Sequence, residues 1–303
     1  MPATSPAAET SPVATTTPSS SSPTAQEPAS PTPASAAPAP PATAPAAPAP
    51  SAPDVYARAK DTEPLPPKPE RGSAADAGND SEGIYEADNN LTFIGPSGYL
   101  MGKGTPGWTL GSIAVAKYEW SFKSPTFLRS AKGLDEIKGS GAFFAKEQIL
   151  GTYTVADGTQ EFLGPLRYSK SNSLATTQAG MAGTWRVDSP VDFDMSITVD
   201  AKGNFTGTTA GVVPGACTVS GTVKHLEPAA RKNMFAMVLN ASNAATGSQL
   251  PCNLSATNTY YGMSAIVLVA AGRYDSNGYY RSFGFHATTE SAAVISNVLR
   301  KQP

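Results

Sequence analysis

From Gly83 onward the apolar residues fall in short runs of four to nine, rich in Val, Ile, Thr, Phe and Tyr and broken by Gly, Asn, Asp and Pro. Such runs between turn residues are the pattern of β-strands. In the second half they predict eight strands, at 183–188, 193–200, 203–209, 216–224, 233–240, 248–254, 262–271 and 279–286. Side chains alternate across a strand, so Phe193, Met195, Ile197 and Val199 share one face while Asp192, Asp194, Ser196 and Thr198 share the other. The second and third strands are joined by Asp200-Ala-Lys-Gly203 and the last two by Arg273-Tyr-Asp-Ser-Asn-Gly278, short links suited to hairpins. Sequential antiparallel strands of this number fit an up-and-down barrel, which leaves no exposed edge. The run Ile266–Val269 is apolar on both faces, so its outer face is expected against another element, the other half of the chain.

Residues 83–180 repeat the pattern less regularly. Their opening, Gly83-Ile-Tyr-Glu-Ala-Asp88, matches Gly183-Thr-Trp-Arg-Val-Asp188, and Gly151-Thr-Tyr-Thr-Val-Ala-Asp157 is a looser relative. Two related β units of about 100 residues each are one reading, chance similarity of short segments the other. After Glu290 the tail is expected to form a short helix, with Val294, Ile295 and Leu299 as a partial apolar stripe. The organisation read from the pattern is all-β: a disordered tether over 1–82, an antiparallel β domain over 83–180, a β-barrel over 181–290 and a short tail over 291–303.

Composition sets the arm apart. Nineteen of the 28 prolines lie in residues 1–70, the first aromatic is Tyr56, and Glu9 and Glu27 are the only charges before Asp54. A segment so poor in apolar side chains cannot offset its ordering entropy. Its Ala-Pro, Ser-Pro and Thr-Pro repeats favour extended polyproline II, a semi-rigid spacer of up to ~3.1 Å per residue. It is read as a tether to a surface, an unselected linker being the alternative. Prolines 64, 66, 67 and 69 break any helix in the charged transition that follows. No stretch approaches the ~18–20 uninterrupted apolar residues of a membrane-crossing helix. With 22 basic and 24 acidic residues the formal charge is −2, which offers no field for nucleic acid or anionic lipid.

Cys217 and Cys252 stand beside strand-like sequence with no C-x-x-C and no histidine at metal spacing. A separated pair of this kind reads as a disulfide, with two buried thiols as the alternative. If formed, the bond closes a loop of about 36 residues and contributes ~4 kcal/mol in the chain-entropy estimate. A disulfide implies export, yet no signal peptide follows Met1. The two are reconciled if Met1 stands where a leader peptide or the lipidated cysteine of an envelope lipoprotein would be. Five N-x-S/T triplets, at Asn79, Asn90, Asn204, Asn240 and Asn253, carry little weight in a chain so rich in Ser and Thr.

Little material for catalysis is present. Gly102-Lys-Gly-Thr-Pro-Gly107 has the G-x-G-x-x-G spacing, but strand-like Trp108-Thr-Leu follows where a dinucleotide site needs a helix, so it reads as a β-turn loop. The two histidines, His225 and His286, lack a second metal-ligating residue at suitable spacing, and no G-x-S-x-G elbow singles out a serine. Asp192 with Asp194 reads as solvent-facing strand charge, a weak cation site or one raised pKa being the alternative, and Asp135-Glu136 and Glu161 stand alone. No catalytic residue, metal or cofactor is expected, and no enzyme is indicated. The aromatic residues offer more: Trp108, Tyr118 and Trp120 in the first half, and Tyr260, Tyr261, Tyr279 and Tyr280 around the last hairpin, are candidates for contacts with a ligand or partner. Aromatic residues alternating along strands also build cores, so the two roles stay open.

The Pro/Ala arm, Lys138–Ala145 followed by Ile149–Val155, the Gly183-Thr-Trp opening, the two cysteine blocks and the closing Tyr279–Thr289 together resemble two-domain envelope lipoproteins of Gram-negative bacteria. The likeness covers most of residues 83–290 and is carried by structural motifs. In architecture the chain is similar to the barrel lobes of the transferrin-binding protein B and factor H-binding protein families, which are lipid-anchored and bind host proteins. No binding motif of theirs is matched residue by residue, so their ligands are not carried over. The Gly183-Thr-Trp185 opening is also similar to the G-x-W of lipocalins. These resemblances imply a non-enzymatic envelope protein, at the outer membrane surface or in the periplasm. It would bind a protein partner through its β domains; the alternative is a calycin-like carrier with a small apolar ligand inside the C-terminal barrel.

Overall fold

A computed structural model describes residues 58–77, 81–88, 90–188, 193–211, 214–243, 251–254, 259–273 and 275–303. The fold is all-β, with two closed antiparallel barrels. The first is formed by β1 (Gly83–Ala87), β2 (Asn90–Ile94), β3 (Tyr99–Lys103), β4 (Gly107–Ala116), β5 (Glu119–Ser130), β6 (Gly133–Glu136), β7 (Lys138–Phe144), β8 (Gln148–Thr154) and β9 (Gln160–Tyr168). Sheet order runs β4-β3-β2-β1-β9-β8-β7-β5-β6, and pairing of β4 with β5 closes the barrel. The second comprises β10 (Gly183–Arg186), β11 (Phe193–Val199), β12 (Asn204–Gly211), β13 (Cys217–His225), β14 (Phe235–Asn243), β15 (Tyr260–Ala270), β16 (Tyr279–Thr288) and β17 (Val294–Lys301), closed by β10 on β17.

Eight strands are present in the C-terminal barrel, but the membership differs from that predicted. The expected tail helix is β17, and it completes the barrel by pairing with β10 and β16. Of the expected strand 248–254, the described residues 251–254 are not in a strand. Periodicity misleads in β17 because both of its faces are covered. Ile295 and Leu299 lie in the barrel core, while Val294 and Val298 pack outward on the N-terminal barrel. Apolar positions on two faces of a strand imitate a helical stripe.

A second correction concerns residues 58–82, expected within the tether. Those described are ordered against the two barrels, Lys146 of the N-terminal barrel donating Nζ to Ala75 O at 2.9 Å. Glu63 forms a β-bridge with Tyr279, and its carboxylate accepts from Arg281 Nε at 2.8 Å. Leu65 packs on the barrel core, and a short helix, α1 (Ala74–Ala77), follows buried Ser73.

The barrels meet through outer faces. Ile84, Leu91, Phe93 and Met101 of the first pack on Met263, Ala265 and Val267 of the second, as the two-sided apolar run at Ile266–Val269 implies. Two buried asparagines tie the barrels to the Lys170–Ser173 linker between them: Asn172 lies in it, and Asn233 Nδ2 donates to Ser171 O at 3.0 Å. Asn172 accepts from Ile84 N (2.9 Å) and donates to Ile84 O (2.7 Å). Asn233 likewise accepts from Ile266 N (2.9 Å) and donates to Ile266 O (2.6 Å). Each side chain takes the place of a neighbouring strand for one residue, leaving no backbone group of Ile84 or Ile266 without a partner. Lys232 lies between Glu82 (2.6 Å) and Glu227 (2.7 Å), and burial raises the Glu82 carboxyl above its ordinary pKa.

Candidate binding site

The two interiors are filled differently. In the C-terminal barrel one continuous core contains Trp185, Phe205, Phe235, Phe283 and Phe285, with Phe283 and Phe285 stacked at a centroid distance of 5.6 Å. In the N-terminal barrel the core is divided. Tyr85, Ile113, Trp120 and Phe143 belong to one cluster, and Leu128, Ile137 and Tyr153 form another. A cavity of about 180 Å³ reaches both.

That cavity follows from which residues the first four strands turn inward. Thr92 of β2 pairs with Gly102 of β3, which pairs with Thr109 of β4, so one row across three strands carries only short side chains. Ala87 and Asn90 extend the same wall. A Cβ at position 102 would lie 2.5 Å from Thr92 Oγ1, so glycine is required for this row to close up. Opposite stand Phe122, Leu128, Tyr153, Leu163 and Leu166. The site therefore has one apolar wall and one wall of hydroxyl and amide groups.

The mouth opens at the end of the barrel bearing the β1–β2 and β3–β4 turns. Gly102–Gly107 is the β3–β4 hairpin, with Gly104 N donating to Gly107 O at 2.8 Å. Lys103, Asp88 and Thr105 stand at the rim with Phe162, which is 58 % exposed. A second hollow of about 370 Å³ adjoins the first, with Leu128 common to both linings. It is lined by the carboxylates Asp135, Asp157 and Glu161 against the single cation Lys132, and Leu134 on the same β5–β6 hairpin is also exposed. Hydrogen bonds from Thr159 hold the Asp157 carboxyl below its ordinary pKa.

The sequence candidates are not gathered here. Trp120 is buried in the N-terminal core, donating Nε1 to Leu150 O at 2.9 Å, and Tyr260 and Tyr279 are buried in the C-terminal core. Of the two roles open in the sequence, core or contact, these three rings at 2–4 % exposure take the core one. Trp108 stands edge-on to His286 at 4.9 Å, and Tyr280 is covered by the Arg300 guanidinium at 3.6 Å. Tyr118 (77 % exposed) and Tyr261 (53 % exposed) do reach solvent, on different barrels. The cavity residues escape sequence reading because their size matters only once register places them side by side.

His286 donates Nε2–H to Leu91 O at 2.7 Å, between the rings of Phe93 and Trp108, while Nδ1 has no partner. Burial pushes its pKa down to about 4. A carbonyl partner requires Nε2 to carry the proton. His225 is also buried, beside Phe235, and burial lowers its pKa. Asp194 forms a bidentate pair with Arg186 (2.8 and 3.2 Å), whereas Asp192 lies outside the described residues. Among the described residues no group of three or more His, Cys, Asp or Glu is placed to hold a metal ion, and no helix is long and apolar enough to cross a membrane. Cys217 and Cys252 are joined in a disulfide that fixes the β14–β15 connection to the start of β13.

Comparison with protein-family models, with curated proteins and with solved structures finds no match to this chain.

Proposed function

We propose that this chain is a non-enzymatic protein of the bacterial cell envelope, held on its Pro/Ala-rich arm, that binds a protein partner at the open end of its N-terminal barrel. The observation that carries the reading is the distribution of interior space. A small-molecule carrier needs a cavity of roughly 300–1,000 Å³. The C-terminal barrel is filled by aromatic side chains, the N-terminal cavity measures about 180 Å³, and the hollow of about 370 Å³ beside it carries three carboxylates, unsuited to a small apolar ligand. Room for one side chain beside exposed apolar residues is the form of an interface anchor pocket. The disulfide favours an oxidising compartment, and the two-lobed β fold agrees with the lipoprotein resemblance. A lipid anchor and the outer membrane surface are the location this reading assigns.

A photo-crosslinking amino acid placed at Phe162 of the full chain, in cells of its natural source, tests the function. One discrete, saturable protein adduct is expected there and none from the same group at Tyr261. A stoichiometric small molecule released on denaturation, with no protein adduct, would replace the reading by that of a carrier. Mass spectrometry of the natural N-terminus tests the anchor, an unmodified terminus being the adverse outcome.

A further inference from the structure

We infer that the N-terminal cavity receives a tyrosine side chain from the partner, with a lysine or arginine beside that tyrosine lying in the adjoining acidic hollow. This rests on the protein-binding reading above and specifies its chemistry. Volume sets the first term. An engineered apolar cavity of ~150 Å³ takes up benzene, so a space of this size fits one six-membered ring. The cavity here is about 180 Å³, slightly more than a bare ring needs.

The lining sets the second term. Phe122, Leu128, Tyr153 and Leu166 offer a ring an apolar wall, while Asn90, Thr92 and Thr109 face it with hydrogen-bonding groups. A purely apolar occupant would strip water from the Thr92 and Thr109 hydroxyls, at a cost of ~1–3 kcal/mol for each buried one left unpaired, whereas Asn90 Nδ2 already donates to Asp88 O at 3.4 Å. A phenol satisfies both walls, because its hydroxyl both donates and accepts.

The surroundings commit the phenol to a polypeptide. Exposed Phe162 and Leu134 extend the apolar area beyond the cavity, where a free phenol would make no contact. The second hollow shares Leu128 with the first and brings three carboxylates against one lysine, a balance that complements a cation. Aromatic anchor and neighbouring cation are thus read by adjacent hollows.

Methyl NMR on the full chain tests this with three probes: phenol, an acetyl-Gly-Tyr-Arg-Gly-amide peptide and the same peptide with Ala for Tyr. Phenol and the Tyr peptide are expected to shift the methyl signals of Leu128, Leu163 and Leu166. The Tyr peptide should bind at least tenfold more tightly than phenol, and the Ala peptide should shift none of the three. Ala87→Leu, which fills the cavity, should remove both phenol and Tyr-peptide binding. The paired change Asp135→Lys and Glu161→Lys lies outside the cavity and should remove only the advantage of the peptide over phenol. No response to phenol at these leucines would overturn the inference. A peptide no tighter than phenol would overturn the assignment to a protein partner and leave a free phenolic ligand. A partner crosslinked at Phe162 but not displaced by the Tyr peptide would sink the inference while leaving the protein-binding reading intact.

Discussion

The two barrels start in the same way and end up with different interiors. Each opens on a glycine with positive φ, 151° at Gly83 and 135° at Gly183, two residues before a fully buried aromatic. In each the polar tip of that aromatic donates to the carbonyl four residues upstream: Tyr85 to Ser81 O at 3.1 Å, Trp185 to Met181 O at 3.0 Å. Both close by pairing first strand with last. Beyond that they diverge. The C-terminal barrel turns large side chains inward along its length, whereas the N-terminal barrel carries a row of Thr92, Gly102 and Thr109 where bulk would otherwise meet bulk. An eight-stranded barrel is just wide enough to be filled by side chains or to hold one small group, so a few residues decide which. One lobe is filled by its own side chains and the other retains room for an occupant.

The sharpest test of that contrast is a pair of truncations. Phe283→Ala in the packed barrel is expected to cost ~3–5 kcal/mol of unfolding free energy. Leu163→Ala, on a half-buried cavity wall, is expected to cost only about 1 kcal/mol, since less apolar surface returns to water. Denaturant unfolding of both variants reads the difference, and equal losses would break the contrast. Next in size, replacing Cys217 and Cys252 by Ser should cost ~2–4 kcal/mol. The loss should appear in Trp185 fluorescence of the C-terminal barrel, while the phenol-responsive leucines of the other lobe keep their folded-state signals.

His286 probes the surface between the lobes. Its folded pKa, about 4, lies below the ordinary 6.5, so the unfolded chain binds the proton more readily. Its contribution is complete above pH 6.5, falls as the pH drops toward 4, and is constant below; the full change is about 3 kcal/mol or less. The raised Glu82 pKa acts oppositely, its contribution being lost as the pH rises through the folded value. The comparison with His286→Gln therefore isolates the histidine: a flatter pH profile between 6.5 and 4 is expected, and an unchanged one would exclude the role. A further loss of ~1–3 kcal/mol is expected for Asn172→Ala, which leaves Ile84 N unpaired while Ile84 O keeps the bond from Ser169 N at 2.9 Å. Its signature is separation of one unfolding transition into two, followed through Trp120 and Trp185; a single shifted transition would show that the apolar face alone couples the lobes.

Much of this architecture is legible along the chain. Alternation in Phe193–Val199 reports its buried face correctly, and the Asp200–Gly203 link is the β11–β12 turn, with Asp200 Oδ1 accepting from Lys202 N and Asn204 N at 2.8 Å. The disulfide was one of two open readings and is formed. The candidate site was not legible. Its aromatic candidates divide between core and surface according to which face of the strand they occupy, and in a barrel joined to another barrel the outer face is buried too. Trp108 shows the difficulty: it points outward from its own barrel yet is partly covered by His286 of the other.

By itself the sequence determined the all-β class, the separation of an arm from a foldable region, the hairpin turns and the two-sided apolar run at Ile266–Val269. These depend on neighbours along the chain, whose alternation and turn chemistry are local. Only the tertiary structure decided that Val294–Lys301 is the closing strand, that residues 58–77 are ordered on the barrels, and that Thr92, Gly102 and Thr109 lie in one row. Those facts depend on register between strands distant in sequence. A cavity is a property of side chains that meet across a barrel, and no single stretch of chain contains it.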